Sequence, residues 1–125
     1  MGLRFEVLGP VQVLRDGEPL PLAAAKPRLL LTVLLLEPNR PVSVERLLAA
    51  LWEDRPPKSA LPNVRSYATR LRGVLGGDRL RAHPPGYRLE VHPGELDLLD
   101  FHALVGRARA ARAAADDARA GEHFA

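Results

Sequence analysis

Apolar and charged positions alternate with period two in Leu3-Arg4-Phe5-Glu6-Val7, and alternation returns in Val11-Gln12-Val13, the pattern of half-buried strands. Gly9-Pro10 separates the two runs, and Asp16-Gly17 is a strong hairpin signal. Glu18 to Leu22 is the expected return strand, and Pro19 and Pro21 confine it to a sheet edge. A small antiparallel sheet is therefore predicted over residues 3–23. Pro27 suits a first helical turn, and Arg28 to Leu36 is apolar on nearly every side, which predicts a buried helix. Glu37-Pro38-Asn39-Arg40-Pro41 stops it. Ser43 is a candidate N-cap for a second helix with the stripe Val44, Leu47, Leu48, Leu51 and Trp52, closed by Pro56-Pro57. A third helix is predicted from Ser59, a second candidate N-cap, to Leu75, with Gly76-Gly77 at its end. Pro62 then falls at the third helical position, where an N–H has no intrahelical partner to lose. Arg79 to Ala82 and Tyr87 to Val91 read as two strands joined by His83-Pro84-Pro85-Gly86.

The last stretch differs in character. Leu96, Leu99, Phe101, Leu104 and Val105 are apolar at roughly helical spacing, and an Ala/Arg-rich run follows to Gly121. So few large apolar side chains cannot build a core of their own. The segment reads as a first helix whose partner is missing, as in a fragment of a longer protein.

The chain has 125 residues, enough for one domain with its own core and part of a second. It has no cysteine, which excludes disulfides, thiolate chemistry and Cys-type zinc sites. No signal-peptide h-region and no run long enough to span a bilayer occur, so a soluble cytoplasmic protein with no membrane partner is the expectation. The net charge of +3 says little by itself. Its placement says more, because residues 63–88 carry six arginines against the single acid Asp78. Arginine suits bidentate contact with phosphate and guanine.

On the third helix Val64, Tyr67, Ala68, Leu71 and Leu75 gather on one side, with Val74 beside them. That is the predicted core face. Arg65, Ser66, Thr69, Arg70 and Arg72 fall on the outer face, which has no acidic residue between Asn63 and Gly77. A solvated face usually mixes signs. Arg forks onto guanine O6 and N7, and Ser and Thr bond phosphates or base edges. Arg79, Arg81 and Arg88 lie on the strand face opposite Leu80, Tyr87, Leu89 and Val91, where they can reach phosphates or a minor groove. Trp52 is read as core. The competing reading is a protein-interaction module, which would need a large exposed apolar centre on the third helix.

These residues resemble a known family. Leu34-Leu35-Leu36-Glu37-Pro38-Asn39-Arg40-Pro41-Val42-Ser43-Val44-Glu45-Arg46-Leu47 with Ala50-Leu51-Trp52 is similar to the second-helix region of the OmpR-type winged helix. The version it resembles is that of the Streptomyces antibiotic regulatory proteins. Val64 to Arg72 resembles that family's recognition helix, and Pro84-Pro85-Gly86-Tyr87-Arg88-Leu89 its wing. The similarity runs over residues 3–92, and residues 94–125, with Asp97-Leu98-Leu99-Asp100-Phe101, resemble the start of the bacterial transcriptional activation domain.

The resemblance implies an α+β fold: a winged helix-turn-helix with an N-terminal antiparallel sheet, three helices and a C-terminal β-hairpin wing over residues 1–93. It implies an activator of secondary-metabolite gene clusters that binds direct repeats in double-stranded promoter DNA, as a head-to-tail dimer on DNA, and touches RNA polymerase through its sigma factor or alpha subunit. Carried over residue by residue, base and phosphate contact falls on Arg65, Ser66, Thr69, Arg70 and Arg72, and the wing role on Arg81, Arg88 and the turn at Gly86. Lys26 and Arg28, at the start of the first helix, are added as phosphate contacts. The loop Glu53-Asp54-Arg55-Pro56-Pro57-Lys58 corresponds to the polymerase-contacting loop of similar winged helices.

Other chemistry finds no support. There is no GxxxxGK motif followed by Ser or Thr and no GxGxxG. His83, His92, His102 and His123 lack metal spacing, and no nucleophile has a base in motif form. Neither an enzyme nor a cofactor is expected.

Overall fold

The computed structural model describes residues 2–53 and 55–123. The order is β1 (Leu3–Glu6), β2 (Gln12–Arg15), β3 (Glu18–Pro19), α1 (Ala25–Leu36), β4 (Val42–Ser43), α2 (Val44–Leu51), α3 (Ala60–Leu75), β5 (Leu80–His83), β6 (Gly86–Leu89) and α4 (Asp97–His123). This is the expected α+β winged-helix arrangement: an antiparallel sheet, three helices and a hairpin.

The first sheet has the order β1-β2-β3, with Leu3 opposite Arg15 and Glu6 opposite Gln12. Asp16 and Gly17 both take positive φ, 52° and 84°, as a two-residue primed turn requires. The return strand stops at Pro19 instead of reaching Leu22. Two prolines in four residues leave too few N–H donors to continue the ladder. Phe5 and Val13 turn inward and are buried.

Helices α1, α2 and α3 pack around one core. Leu30, Leu31, Leu34 and Leu35 of α1 meet Leu47 and Leu51 of α2 and Val64, Ala68, Leu71 and Leu75 of α3. Ser43 caps α2 as expected, its Oγ accepting the Arg46 N–H at 3.2 Å. Ser59 differs from expectation: it makes no side-chain cap, and its Oγ accepts from the Asn63 side-chain amide instead. Helix α2 ends at Leu51, earlier than Pro56-Pro57 would demand. Trp52 there turns extended and packs on the core edge.

The second sheet has the order β4-β6-β5. Strand β4 was not expected. It is two residues long and carries no periodic signal, yet Val42 pairs with Tyr87 and Ser43 with Gly86. This third strand gives the hairpin a partner, and a two-stranded ribbon alone is marginal in water. The hairpin strands lie at 80–83 and 86–89, so the connection is shorter than the sequence pattern suggested.

After the hairpin the chain returns to the first sheet. Phe5 donates its N–H to the Glu95 carbonyl at 2.6 Å and pairs with the buried Leu96 in a parallel bridge. The Asp97 carboxylate accepts the N–H groups of Val7 and Leu8 at 3.0–3.1 Å. Arg4 bonds the Gly94 carbonyl and the Asp100 carboxylate. The first turn of α4 is thus anchored on β1, with Leu98 and Leu99 against the core. Phe101 and Leu104, beyond that anchor, are exposed.

Gly86 shows how tightly β4 crosses the hairpin. A Cβ built there would lie 2.6 Å from the Val42 carbonyl carbon, 2.8 Å from the Ser43 Cα, and closer still to the Val42 oxygen. These are backbone atoms and cannot swing away. Gly86→Ala is expected to destabilise the fold by about 1–3 kcal/mol or more through overpacking, read as a lower urea midpoint.

Candidate nucleic-acid interface

The outer face of α3 is built by exclusion. Val64, Ala68, Leu71 and Leu75 are fully buried or nearly so, so the residues between them are held in solvent. Arg65, Ser66, Thr69 and Arg70 are all exposed. The Thr69 hydroxyl donates to the Arg65 carbonyl one turn back at 3.0 Å. That bond fixes the rotamer while its lone pairs remain able to accept. Among the described residues neither Arg65 nor Arg70 has an ion-pair partner. Two cations and two hydroxyls therefore share one rigid surface with no acid on the helix.

Arg72 departs from that picture. It is half-buried, its Nε donates to the Leu80 carbonyl at 3.1 Å, and its guanidinium sits 6.0 Å from the Tyr87 ring centre. It ties α3 to the hairpin.

On the hairpin, Arg81 stands directly opposite Arg88. Like charges paired across strands repel. Among the described residues Arg81 meets only its local neighbour Asp78, by a hydrogen bond to the carbonyl at 3.1 Å and a carboxylate at 3.9 Å, and its side chain stays 59% exposed. Arg88 gives its Nε to the Asn39 carbonyl at 2.9 Å. Two guanidiniums side by side on one ribbon make a surface that a polyanion relieves.

The remaining predicted contacts are occupied within the fold. Lys26 Nζ donates to the Leu51 carbonyl and lies 4.9 Å from the Trp52 ring centre. It caps the C-terminus of α2, where a cation is favoured. Arg28 folds back onto the Leu22 and Ala23 carbonyls at 3.0–3.3 Å. Glu53, Arg55 and Lys58 are exposed in the loop between α2 and α3, while Asp54 lies outside the described residues. Among the described residues there is no cluster fit to hold a metal ion, and no helix is long and apolar enough to cross a membrane.

Residues 17–89 match the family described as transcriptional regulatory protein, C terminal. The chain belongs to that family, the OmpR-type DNA-binding domain of transcriptional regulators. It is 43% identical over 107 residues to the transcriptional regulatory protein EmbR of Mycobacterium tuberculosis, covering 81% of this chain and 28% of EmbR. It is 44% identical over 115 residues to the regulatory protein AfsR of Streptomyces coelicolor, covering 91% of this chain and 12% of AfsR. The structure of M. tuberculosis EmbR in complex with a low-affinity phosphopeptide superposes with a TM-score of 0.73, over 77% of this chain and 27% of that one. The Klebsiella pneumoniae RstA DNA-binding domain in complex with the RstA box superposes at 0.55 with 22% identity, covering 65% and 84%, a likeness of fold alone. EmbR and AfsR are regulators of the family that the sequence resembles. The chain spans about a quarter of the length of EmbR and an eighth of that of AfsR.

Within this winged helix the sequence reading missed the residues that hold the wing in place. Asn39 takes positive φ, 64°, and its side-chain amide clasps Val91 from both sides, donating to the carbonyl at 2.9 Å and accepting from the N–H at 2.8 Å. A Pro-Asn pair between two helices was the available signal, since Asn tolerates the left-handed region. Arg79, expected on the outer face with Arg81 and Arg88, instead forms a bidentate pair with Glu95 at 2.5 and 2.7 Å, with side chains only 16% and 12% exposed. Glu95 carries no signal in the sequence, because a partner sixteen residues away leaves no periodic trace.

The Arg79 guanidinium holds the Glu95 carboxyl below its ordinary value of 4.5, against burial, which pushes it up, and the His92 N–H assists. A depressed carboxylate stabilises the fold above its unfolded value, and that contribution is lost as pH falls through the folded value. Glu95→Gln is therefore expected to lower stability at neutral pH by about 1–3 kcal/mol. The gap from the unaltered protein should narrow well below pH 4.5. Urea melts across that range check it, and a gap independent of pH would contradict the assignment.

Proposed function

We propose that this chain is the sequence-specific DNA-binding part of a transcriptional activator of a secondary-metabolite gene cluster. Helix α3 enters the major groove and reads base edges with Arg65, Ser66, Thr69 and Arg70. The β5–β6 wing sets Arg81 and Arg88 against the adjacent backbone or minor groove. The observation that carries this reading is the acid-free, solvent-facing side of α3, whose opposite side is consumed by the core. The RstA structure supports it, being a domain of the same fold in complex with its box. The resemblance to the antibiotic regulatory proteins, with the relation to AfsR, favours an antibiotic-related target.

Several finer roles belong to the same proposal. Residues 94–125 lead into an activation domain, and the 53–58 loop touches RNA polymerase. Arg72, Lys26 and Arg28, which the fold already engages, act by setting α3, α2 and α1 rather than as direct readers. One recognition helix reads only a few base pairs, so two copies in head-to-tail order on direct repeats supply the remainder. A protein-interaction module would need an apolar centre on α3. The one exposed large hydrophobic residue there is Leu61, in its first turn.

The test is selection of bound sequences from random duplex DNA, followed by titration of variants at several salt concentrations. Arg70→Ala should weaken binding to the selected duplex by about 1–3 kcal/mol and relax preference at the base it reads. Arg81→Ala should weaken all duplexes alike and flatten the salt slope by about one. Recovery of no preferred sequence, or variants that bind like the parent, would overturn the reading.

A further inference from the structure

The wing and α4 meet at one ion pair. Arg79 lies where the chain leaves α3 and enters β5. Glu95 lies where the chain leaves the wing and enters α4. The Arg79 backbone already belongs to the hairpin, because its carbonyl accepts the Glu90 N–H at 2.7 Å and extends the β5–β6 ladder by one pair. Its guanidinium also touches the Glu90 carbonyl at 3.3 Å. Glu95 belongs to the other body. Its carbonyl accepts from Phe5 of β1, its neighbour Leu96 is buried against that strand, and α4 follows at once. The side chain that reaches across is thus held from behind by β1 and α4.

Two further facts make this junction more than a brace. The wing rests on short pairings, two residues of β4 and four of β5, so its position depends heavily on side-chain straps. A forked guanidinium–carboxylate contact fixes orientation as well as distance, and here it is largely shielded from water.

We propose that the Arg79–Glu95 pair is a latch through which the seating of α4 on β1 sets the position of the wing. This makes Glu95 a positioning residue for the wing contacts with DNA, and in that last part it rests on the function proposed above. Loosening α4 at its β1 anchor frees the wing, and by reciprocity an immobilised wing steadies the α4 anchor. Whatever grips or displaces α4 in a longer protein would then alter how the wing meets DNA.

The test uses the full chain and four variants: Glu95→Gln, Arg79→Lys, Asp97→Asn and the double variant Glu95→Gln/Asp97→Asn. Asp97→Asn weakens the bonds to Val7 and Leu8 without touching the wing. Amide exchange is followed by mass spectrometry in the free protein over residues 80–89 and, as the internal control, 60–75. Glu95→Gln should speed wing exchange about tenfold with α3 unchanged, the change expected when a charged hydrogen bond is weakened. Arg79→Lys, which keeps the charge and loses the fork, should fall between. Asp97→Asn should speed wing exchange as well, and the double variant should exchange no faster than Glu95→Gln alone. Wing exchange unmoved by Asp97→Asn, or additive in the double variant, overturns the latch whatever DNA binding shows. With the selected duplex, Glu95→Gln should lose about tenfold in affinity and flatten the salt slope by about one, as loss of a wing phosphate contact would. Unaltered protein that binds no duplex selectively would overturn the DNA reading and leave the exchange result standing on its own.

Discussion

Helix α1 presents Leu30, Leu31, Leu34 and Leu35 to the interior with no solvent exposure, and the apolar side of α3 packs against it, with α2 and β5 alongside. Each such leucine contributes about 1.5–3 kcal/mol on burial. Turning α3 about its axis by one residue would draw Arg65 or Thr69 into that contact and expel a buried apolar neighbour. An unpaired guanidinium in a leucine core costs several kcal/mol by itself. The core therefore does more than hold the helix. It dictates which side of α3 faces outward, and every statement about the recognition surface inherits from this packing. The same logic ranks the substitutions: changes on the outer face alter what is bound, and changes at Ala68 or Leu71 alter whether there is a face at all.

Arginine is used here for two purposes that the net charge conflates. Of the six arginines in residues 63–88, Arg65, Arg70 and Arg81 are exposed. Arg72, Arg79 and Arg88 instead fasten the hairpin to α3, to the start of α4 and to the loop after α1. The capping residues follow the same economy. Arg15 from β2 reaches the Leu75 carbonyl at the end of α3 at 2.5 Å, as Lys26 reaches Leu51 at the end of α2. Basic side chains close both helices at the end where the dipole favours them.

Local periodicity made much of this legible. The alternation in β1 and β2, the Asp16-Gly17 turn, the stripe of α2 and the two sides of α3 are properties of contiguous residues, and they stand where expected apart from Trp52, past the end of α2, and Arg72. What escaped was contact between distant parts. Strand β4 is defined only by its pairing with Gly86 and Tyr87, Asn39 only by its clasp on Val91, and Glu95 only by Arg79. Helical spacing placed Arg72 outside because it reflects the helix axis and nothing of the hairpin lying across it. For Lys26 and Arg28, a position at a helix start suggested anion binding. Both side chains found carbonyls closer than any phosphate.

The internal use of half the arginines bears on how such a domain can bind strongly enough to regulate. Counterion release scales with the number of phosphates met, and strong single binders make about 6–10 such contacts. On the proposed interface, three exposed guanidiniums on α3 and the wing, with help from Ser66, Thr69 and the shared charge of Arg88, would fall short of that. On that proposal the shortfall would be met either by more copies on one duplex or by added rigidity, which lowers the ordering cost of each contact made. The straps at Asn39, Arg72 and Arg79 supply the rigidity. Under the proposed function, arginines withdrawn from the surface would still serve recognition, by holding the remaining ones in a geometry that a duplex need not organise.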